Sequence, residues 1–332
     1  MIRPTIKTVA AEAGVSTATV SYVLAGRTKG NGSGISPATA ERVHAAVTKV
    51  GYRPNQAART IRTGKSNLMM LSLTMLSDPW SLSVSKAVSA AVASAGITPM
   101  ILADTDWRTA IKRQGADVIF IDAAEAEGDA ALLAELGRNN NLVVFSETLE
   151  PNGFDVIRSV SGSSMDAAMD HLTATHTKVA CLTPRGSLQA PCPTRYGAYL
   201  AGLRRAGLEF RQDYVAPFDG DEFSAYEAAV ALLSQPDPPT AIFATSDFVA
   251  MAAINAAQRM RLSVPGDVAV IGVGNTLQGE VMAPSLSTVG PVDFFNSLAE
   301  FLVERAKSDS VQHRILEFPW QLFVRESAPV AP

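Results

Sequence analysis

Apolar positions follow two different regimes along this chain. In residues 5–24, TIKTVAAEAGVSTATVSYVL, Ile6, Val9, Ala10 and Ala13 recur at helical spacing, and Val20, Val23 and Leu24 do so again beyond Gly14-Val15-Ser16. Thr5 is placed to cap the first helix, Gly14 to end it with a positive φ, and Ser16 to cap the second. With the stripes buried, Thr17, Ala18, Ser21 and Tyr22 face outward from the second helix. Two short helices joined by a tight turn form a helix-turn-helix, whose second helix enters the DNA major groove; an ordinary helical hairpin is the bland alternative. A polar, Gly-rich loop, 25–36, leads to Ser36-Pro37, which opens a third helix to about Val50 with Ala40, Val43, Ala46, Val47 and Val50 on its apolar side.

From residue 67 the pattern switches to short apolar runs alternating with amphipathic stretches. Strands are predicted at 68–73, 99–103, 118–121, 142–145, 179–182, 241–244 and 268–272, and helices near 82–95, 129–138, 163–175, 194–206, 224–234, 247–260 and 292–307. Strand and helix in alternation imply α/β lobes with parallel sheets covered on both faces, leaving a ligand crevice at the strand C-termini.

Charge divides the chain at the same place. Residues 1–65 hold ten basic and two acidic residues, a net of +8, whereas the whole chain stands at −4, so the remainder is acidic. A basic head suits a polyanion. The apolar content of 47% over 332 residues supports a large core, no run approaches a membrane span, and the start MIRPTIKT has no signal-peptide character, so the expected location is the cytoplasm, with nucleoid association through DNA expected if the head binds it. Cys181 and Cys192 show no metal-ligand spacing and read as structural, and His44, His171, His176 and His313 form no triad or metal pattern; no cofactor is expected. Gly64-Lys65-Ser66 has Arg59 where a phosphate-binding loop needs glycine, and Gly272-Val273-Gly274 lacks the third glycine of a dinucleotide site.

The segment Tyr52 to Gly64, YRPNQAARTIRTG, together with VAAEAGVSTATVSYVLAG before it, resembles the hinge and head of the LacI family of bacterial transcription regulators. The body is similar to that family's periplasmic-binding-protein-like effector domain through TRYGAY (194–199), PDPPTAIFATSDFVAMAAINAAQ (236–258), VPGDVAVIGVGNT (264–276), PSLSTV (284–289) and FVRES (323–327). The resemblance implies a head at 1–52, a hinge at 53–65 and a body at 66–332, with an N-lobe of about 66–160 and 291–319 and a C-lobe of about 161–290 and 320–332. Chain crossings between lobes fall near 159–162, 289–292 and 318–322. It also implies DNA contacts by Thr5, Ser16, Thr17, Ala18, Ser21, Tyr22 and Arg27, and a hinge helix with Asn55, Ala57 and Ala58 that wedges Ile61, where leucine is usual, into a minor-groove step. Tyr22 stands where arginine commonly reads a guanine; it lacks the bidentate fork, so base preference at that position should differ.

For the effector, the resemblance points to Arg195, whose fork suits a hydroxyl or carboxylate, to Asp247 at the end of the 241–244 strand, and to Asp78 and Trp80 after the first strand. Phe223 is expected to supply a second wall. The same residues also fit bland roles: an ion pair for Arg195, a helix cap for Asp247, plain core for Trp80. Ser161 and Gly274-Asn275 stand where many members carry acids, which implies an effector that is less hydroxylated or anionic, or a crevice that has lost its ligand. The stretch 104–116 is shorter than the usual second helix of the N-lobe. The resulting expectation is a non-enzymatic, sequence-specific DNA-binding regulator, a repressor, acting as a homodimer on a pseudo-palindromic operator under small-molecule control. No heptad tail after Pro329 suggests a further oligomer. A solute-binding protein of the same lobed shape, opposed by the basic head, and a nucleotide-dependent enzyme are the alternatives.

Overall fold

A computed structural model of the protein describes residues 4–26, 34–53, 60, 63–124, 126–161, 163–189, 194–308 and 312–330. These divide into two compact units, residues 1–66 and 67–332. In the first, helices α1 (Ile6–Ala13), α2 (Thr17–Leu24) and α3 (Pro37–Val50) pack Val9, Ala10, Ala13, Val20, Val23, Val43 and Ala46 into one core. The caps set the helix ends: Ser16 Oγ accepts from the Thr19 N–H at 3.1 Å and Ser36 Oγ from the Thr39 N–H at 3.2 Å. Gly14 closes α1 at φ +64°, a conformation that costs a side-chain-bearing residue energy. Lys49 pairs with Glu12 at 2.6 Å across α3 and α1.

The second unit contains, among the described residues, eleven strands in the order β2-β1-β3-β4-β5-β11-β10-β9-β8-β6-β7. Strands β1 (Leu68–Leu73), β2 (Thr98–Ala103), β3 (Val118–Ile121), β4 (Leu142–Phe145) and β5 (Asp155–Val160) form one parallel sheet; β6 (Val179–Pro184), β7 (Val215–Phe218), β8 (Ala241–Ala244), β9 (Ala269–Val273) and β10 (Ser287–Pro291) form the other. Runs such as VIFI and AIFA are apolar at every position because both faces are covered. Helices 79–92 and 294–307 cover one face of the first sheet with Val84, Val88, Leu298 and Leu302, and Trp107, Ile111 and Leu133 cover the other. On the second sheet, helices 222–233 and 247–259 lie on one face, and helices 164–173 and 195–205 on the other.

Strand β11 (Ile315–Phe323) joins the sheets. Its first half, Ile315 to Pro319, runs parallel to β5, and its second half, Trp320 to Phe323, runs antiparallel to β10. The expected parallel sheets are found, with β10–β11 the one antiparallel pairing among the described strands. The chain leaves the second lobe along β10 and re-enters it along β11, so these two neighbours must run in opposite directions. Strand β5 leads from the first lobe to helix 164–173 of the second, so three segments cross between the lobes. A buried ion pair docks the last long helix: Arg305 Nε lies 2.7 Å from Asp155 Oδ2 on β5, and Asp155 Oδ1 accepts the Arg314 N–H at 2.9 Å. Among the described residues no helix is long and apolar enough to cross a membrane.

Candidate functional site

The head presents one polar face. Thr5, Ser16, Thr17, Ala18 and Tyr22 are exposed, Tyr22 by 52%, while Ser21 is half-buried beside the stripe formed by Val20 and Val23. The first turn of α2 therefore offers small side chains, Thr17 and Ala18, with a phenol one turn later at Tyr22. Arg27, Asn55, Ala57, Ala58 and Ile61 lie outside the described residues.

In the body, a cavity of about 200 Å³ opens between the two lobes at the strand C-termini. Four of the residues singled out from sequence, Asp78, Trp80, Arg195 and Asp247, line it together. Asp78 and Trp80 come from the first lobe at the start of helix 79–92, where Asp78 Oδ1 accepts the Trp80 N–H at 2.8 Å and so caps the helix. Trp80 packs its ring 5.4 Å from Phe145 and 5.8 Å from Phe294, is half-buried, and lines the cavity. Arg195 opens helix 195–205 of the second lobe behind the Thr194 cap. Its Nη1 donates to the Thr245 carbonyl at 2.7 Å, and its guanidinium lies 5.6 Å over the Trp320 ring. Protein surrounds this guanidinium on the two lobes and pulls its pKa down, opposed by Glu147, Asp247 and Asp78, yet its side chain remains reached by crevice water.

Asp247 is 1% exposed and fully engaged. Its Oδ2 accepts the Thr276 N–H and hydroxyl at 2.8 and 2.9 Å, and its Oδ1 accepts the Thr288 hydroxyl at 2.5 Å. Burial raises its pKa against these donors. It is not the helix cap, which is Ser246, accepting from the Val249 N–H at 3.3 Å. Asp247 thus ties the segment after β9 to β10, the second crossing strand.

Gly274 lines this cavity as well, whereas Ser161, Asn275 and Phe223 do not. Ser161 lines a second one of about 460 Å³, which shares Arg195 and Trp320 with the first and also includes Glu147 and Thr194. Asn275, at φ +49°, donates to the Pro291 carbonyl and accepts from Arg325, both near 3 Å, a brace between β10 and β11. Phe223 is 69% exposed at the start of helix 222–233.

Sequence reading missed Asp122, Thr74, Phe145, Phe294 and Trp320 in the cavity wall. Asp122 Oδ2 accepts the Thr74 N–H at 2.6 Å and the Thr74 hydroxyl at 3.0 Å, while Oδ1 is buried with no hydrogen-bond partner. Burial pushes this carboxyl up to about 6 against the Thr74 bonds, with Asp104 adding to the rise. Asp104 holds the same loop through the Met75 N–H at 2.6 Å. The available signal was position: Asp122 and Phe145 stand at the C-terminal ends of β3 and β4, where such crevices draw their walls. Trp320 gave no such signal, since it sits mid-strand in β11 at the crossing, its indole N–H donated to Ser159 on β5.

Comparison with known proteins agrees with both units. Residues 5–55 match the family described as bacterial regulatory proteins, lacI family, and residues 169–328 match the periplasmic binding protein-like domain. The HTH-type transcriptional repressor PurR of Photobacterium profundum is 29% identical over 336 residues, 97% of this chain and 98% of that protein. The ribose operon repressor of Escherichia coli (strain K12) is 27% identical over 98% of this chain and 99% of its own length. Among solved structures, the lac repressor dimer bound to operator and the anti-inducer ONPF aligns with a TM-score of 0.72 at 22% identity, over 99% of this chain and 100% of that one. A CelR–cellobiose complex aligns with a TM-score of 0.60 at 24% identity, over 98% and 100%.

Proposed function

Because the chain belongs to the LacI family of bacterial regulatory proteins, which are DNA-binding transcriptional regulators and not enzymes, we propose that it is a repressor whose hold on a pseudo-palindromic operator is set by a small molecule in the interlobe crevice. The observation that carries the effector part is convergence: Asp78 and Trp80 from one lobe and Arg195 and Asp247 from the other surround one cavity. A ligand gripping both walls favours one lobe separation over another, and can only shift the regulator by as much as its affinity differs between the two. Two copies joined through their bodies would pass that difference to paired hinge segments, 53–65, including Asn55, Ala58 and Ile61. The homodimer suits a two-fold operator, and curated relatives named as repressors, PurR and the ribose operon repressor, support the direction of control. In this reading the protein works in the cytoplasm, on DNA.

On the DNA side, α2 supplies the readout, with Thr17 and Ala18 contacting a thymine methyl and Tyr22 contacting a base edge or phosphate. The test is selection of bound sites from a random duplex library by the full-length chain. Enrichment of an inverted repeat is expected; recovery of sequence-unrelated duplexes would overturn the reading.

A further inference from the structure

The acids that the sequence lacks at Ser161 and at Gly274-Asn275 are replaced from another direction. The cavity between the lobes faces three carboxylates, Asp78, Asp122 and Asp247, and one guanidinium, Arg195. Glu147 stands within electrostatic range of that guanidinium as well. Arg195 has already spent a donor on the Thr245 carbonyl and lies over the Trp320 ring.

The three acids are not equally engaged. Asp247 has donors on both oxygens. Asp78 uses Oδ1 to cap its helix, and its Oδ2 meets no donor among the described residues. Asp122 Oδ1 is buried and unpartnered. Two carboxylates from the first lobe therefore leave an acceptor unfilled beside the same space, and that space carries more negative than positive charge. Charge enclosed in protein is costly unless it is paired, so this excess calls for a donor that is itself positive. Trp80, which lines the cavity together with Phe145 and Phe294, adds an aromatic wall, and the face of an aromatic ring attracts cations. At about 200 Å³ the cavity has room for a group about one ring in size.

Building on the reading of the crevice as the effector site, we propose that the effector is a small ring bearing a protonated amine, held by Asp78 and Asp122 against Trp80, and that anionic ligands are rejected. Burial raises the pKa of both Asp78 and Asp122, and a cation bound beside them would lower it again.

The experiment uses full-length protein at neutral pH and three probes sharing one pyranose ring: D-glucosamine, D-glucose and D-glucuronate, followed by calorimetry and thermal melting. Glucosamine should bind about tenfold or more tightly than glucose, and glucuronate should not bind. Asp78→Asn, which keeps the helix cap, and Asp122→Asn, which keeps the acceptor for Thr74, should each remove the preference for the amine, so that glucosamine and glucose bind within about twofold of each other. Glucose or glucuronate binding as well as glucosamine, with an Arg195-dependent response, overturns the charge assignment and leaves the crevice reading standing. No response to any of the three overturns the charge assignment too. The crevice reading is then judged on its own test, release or tightening of the selected operator by a small-molecule cell extract and its loss on Arg195→Met.

Discussion

Two side chains turn local chemistry into measurable behaviour. Tyr22 stands exposed on α2 and has one hydroxyl where a guanidinium would offer a two-pronged donor. Tyr22→Arg should shift the half-site recovered in site selection toward guanine at one position; an unchanged consensus would place Tyr22 off the bases. Asp122 gives the pH behaviour. Its carboxyl is raised from the ordinary 3.8 to about 6, so between those values the folded protein holds a proton that the unfolded chain has released. That contribution to stability is present below about pH 4, fades as pH rises to about 6 and is gone above. Asp122→Asn should flatten this slope, gaining about 1–2 kcal/mol over wild type at pH 7 relative to pH 4 once crevice water is allowed for, as read by chemical denaturation at both pH values. Equal slopes for the two proteins would show that Asp122 titrates normally. Legibility differs sharply between such residues. Trp80 and Arg195 were readable because each follows a recognisable element boundary, whereas Trp320 depends on a neighbour 161 residues away, Ser159, which no local pattern reveals.

At the scale of elements, helices and strands with one strong period were visible. α1 to α3 announced themselves through Thr5, Ser16 and Ser36-Pro37, and β3, β4 and β8 through unbroken apolar runs. β7 and β11 were hidden because Pro217 and Pro319 interrupt them and because β11, with Glu317 and Gln321 among its apolar residues, is largely half-buried and shows no clean alternation. What packs on them was hidden too. Asp155 begins β5 as an ordinary polar residue in sequence, yet it is fully buried and answers Arg305 on helix 294–307. Removing one partner leaves the other charge stranded, so Asp155→Ala should cost about 3–5 kcal/mol in urea denaturation. Adding Arg305→Met to it should return a large part of that loss. A double variant as unstable as the sum of two independent losses would argue that each residue acts alone.

For the whole molecule, the opposition of charge is the governing property: a head at +8 on a chain that totals −4. Binding that neutralises about 6–10 phosphates should show log affinity falling against log salt with a slope of about −5 to −9, measured by titrating the selected operator over a salt series. A flat response would remove the head from the phosphates. The two-unit division was legible from the change of periodicity at residue 67 and the charge step beside it, whereas the strand shared by both lobes was not, since pairing partners far apart in sequence leave no periodic mark.

That shared strand also dictates an order of events during synthesis. The first lobe's sheet is complete through β5 early in translation, but its apolar face, with Leu71, Leu73 and Phe120, is covered by helix 294–307, and its last strand is the front half of β11. Both emerge from the ribosome only after nearly all of the second lobe. With helix 79–92 alone on that face, the nascent first lobe must therefore travel with part of its hydrophobic surface uncovered for more than a hundred residues of elongation, a standing demand for chaperone protection that the finished protein no longer shows.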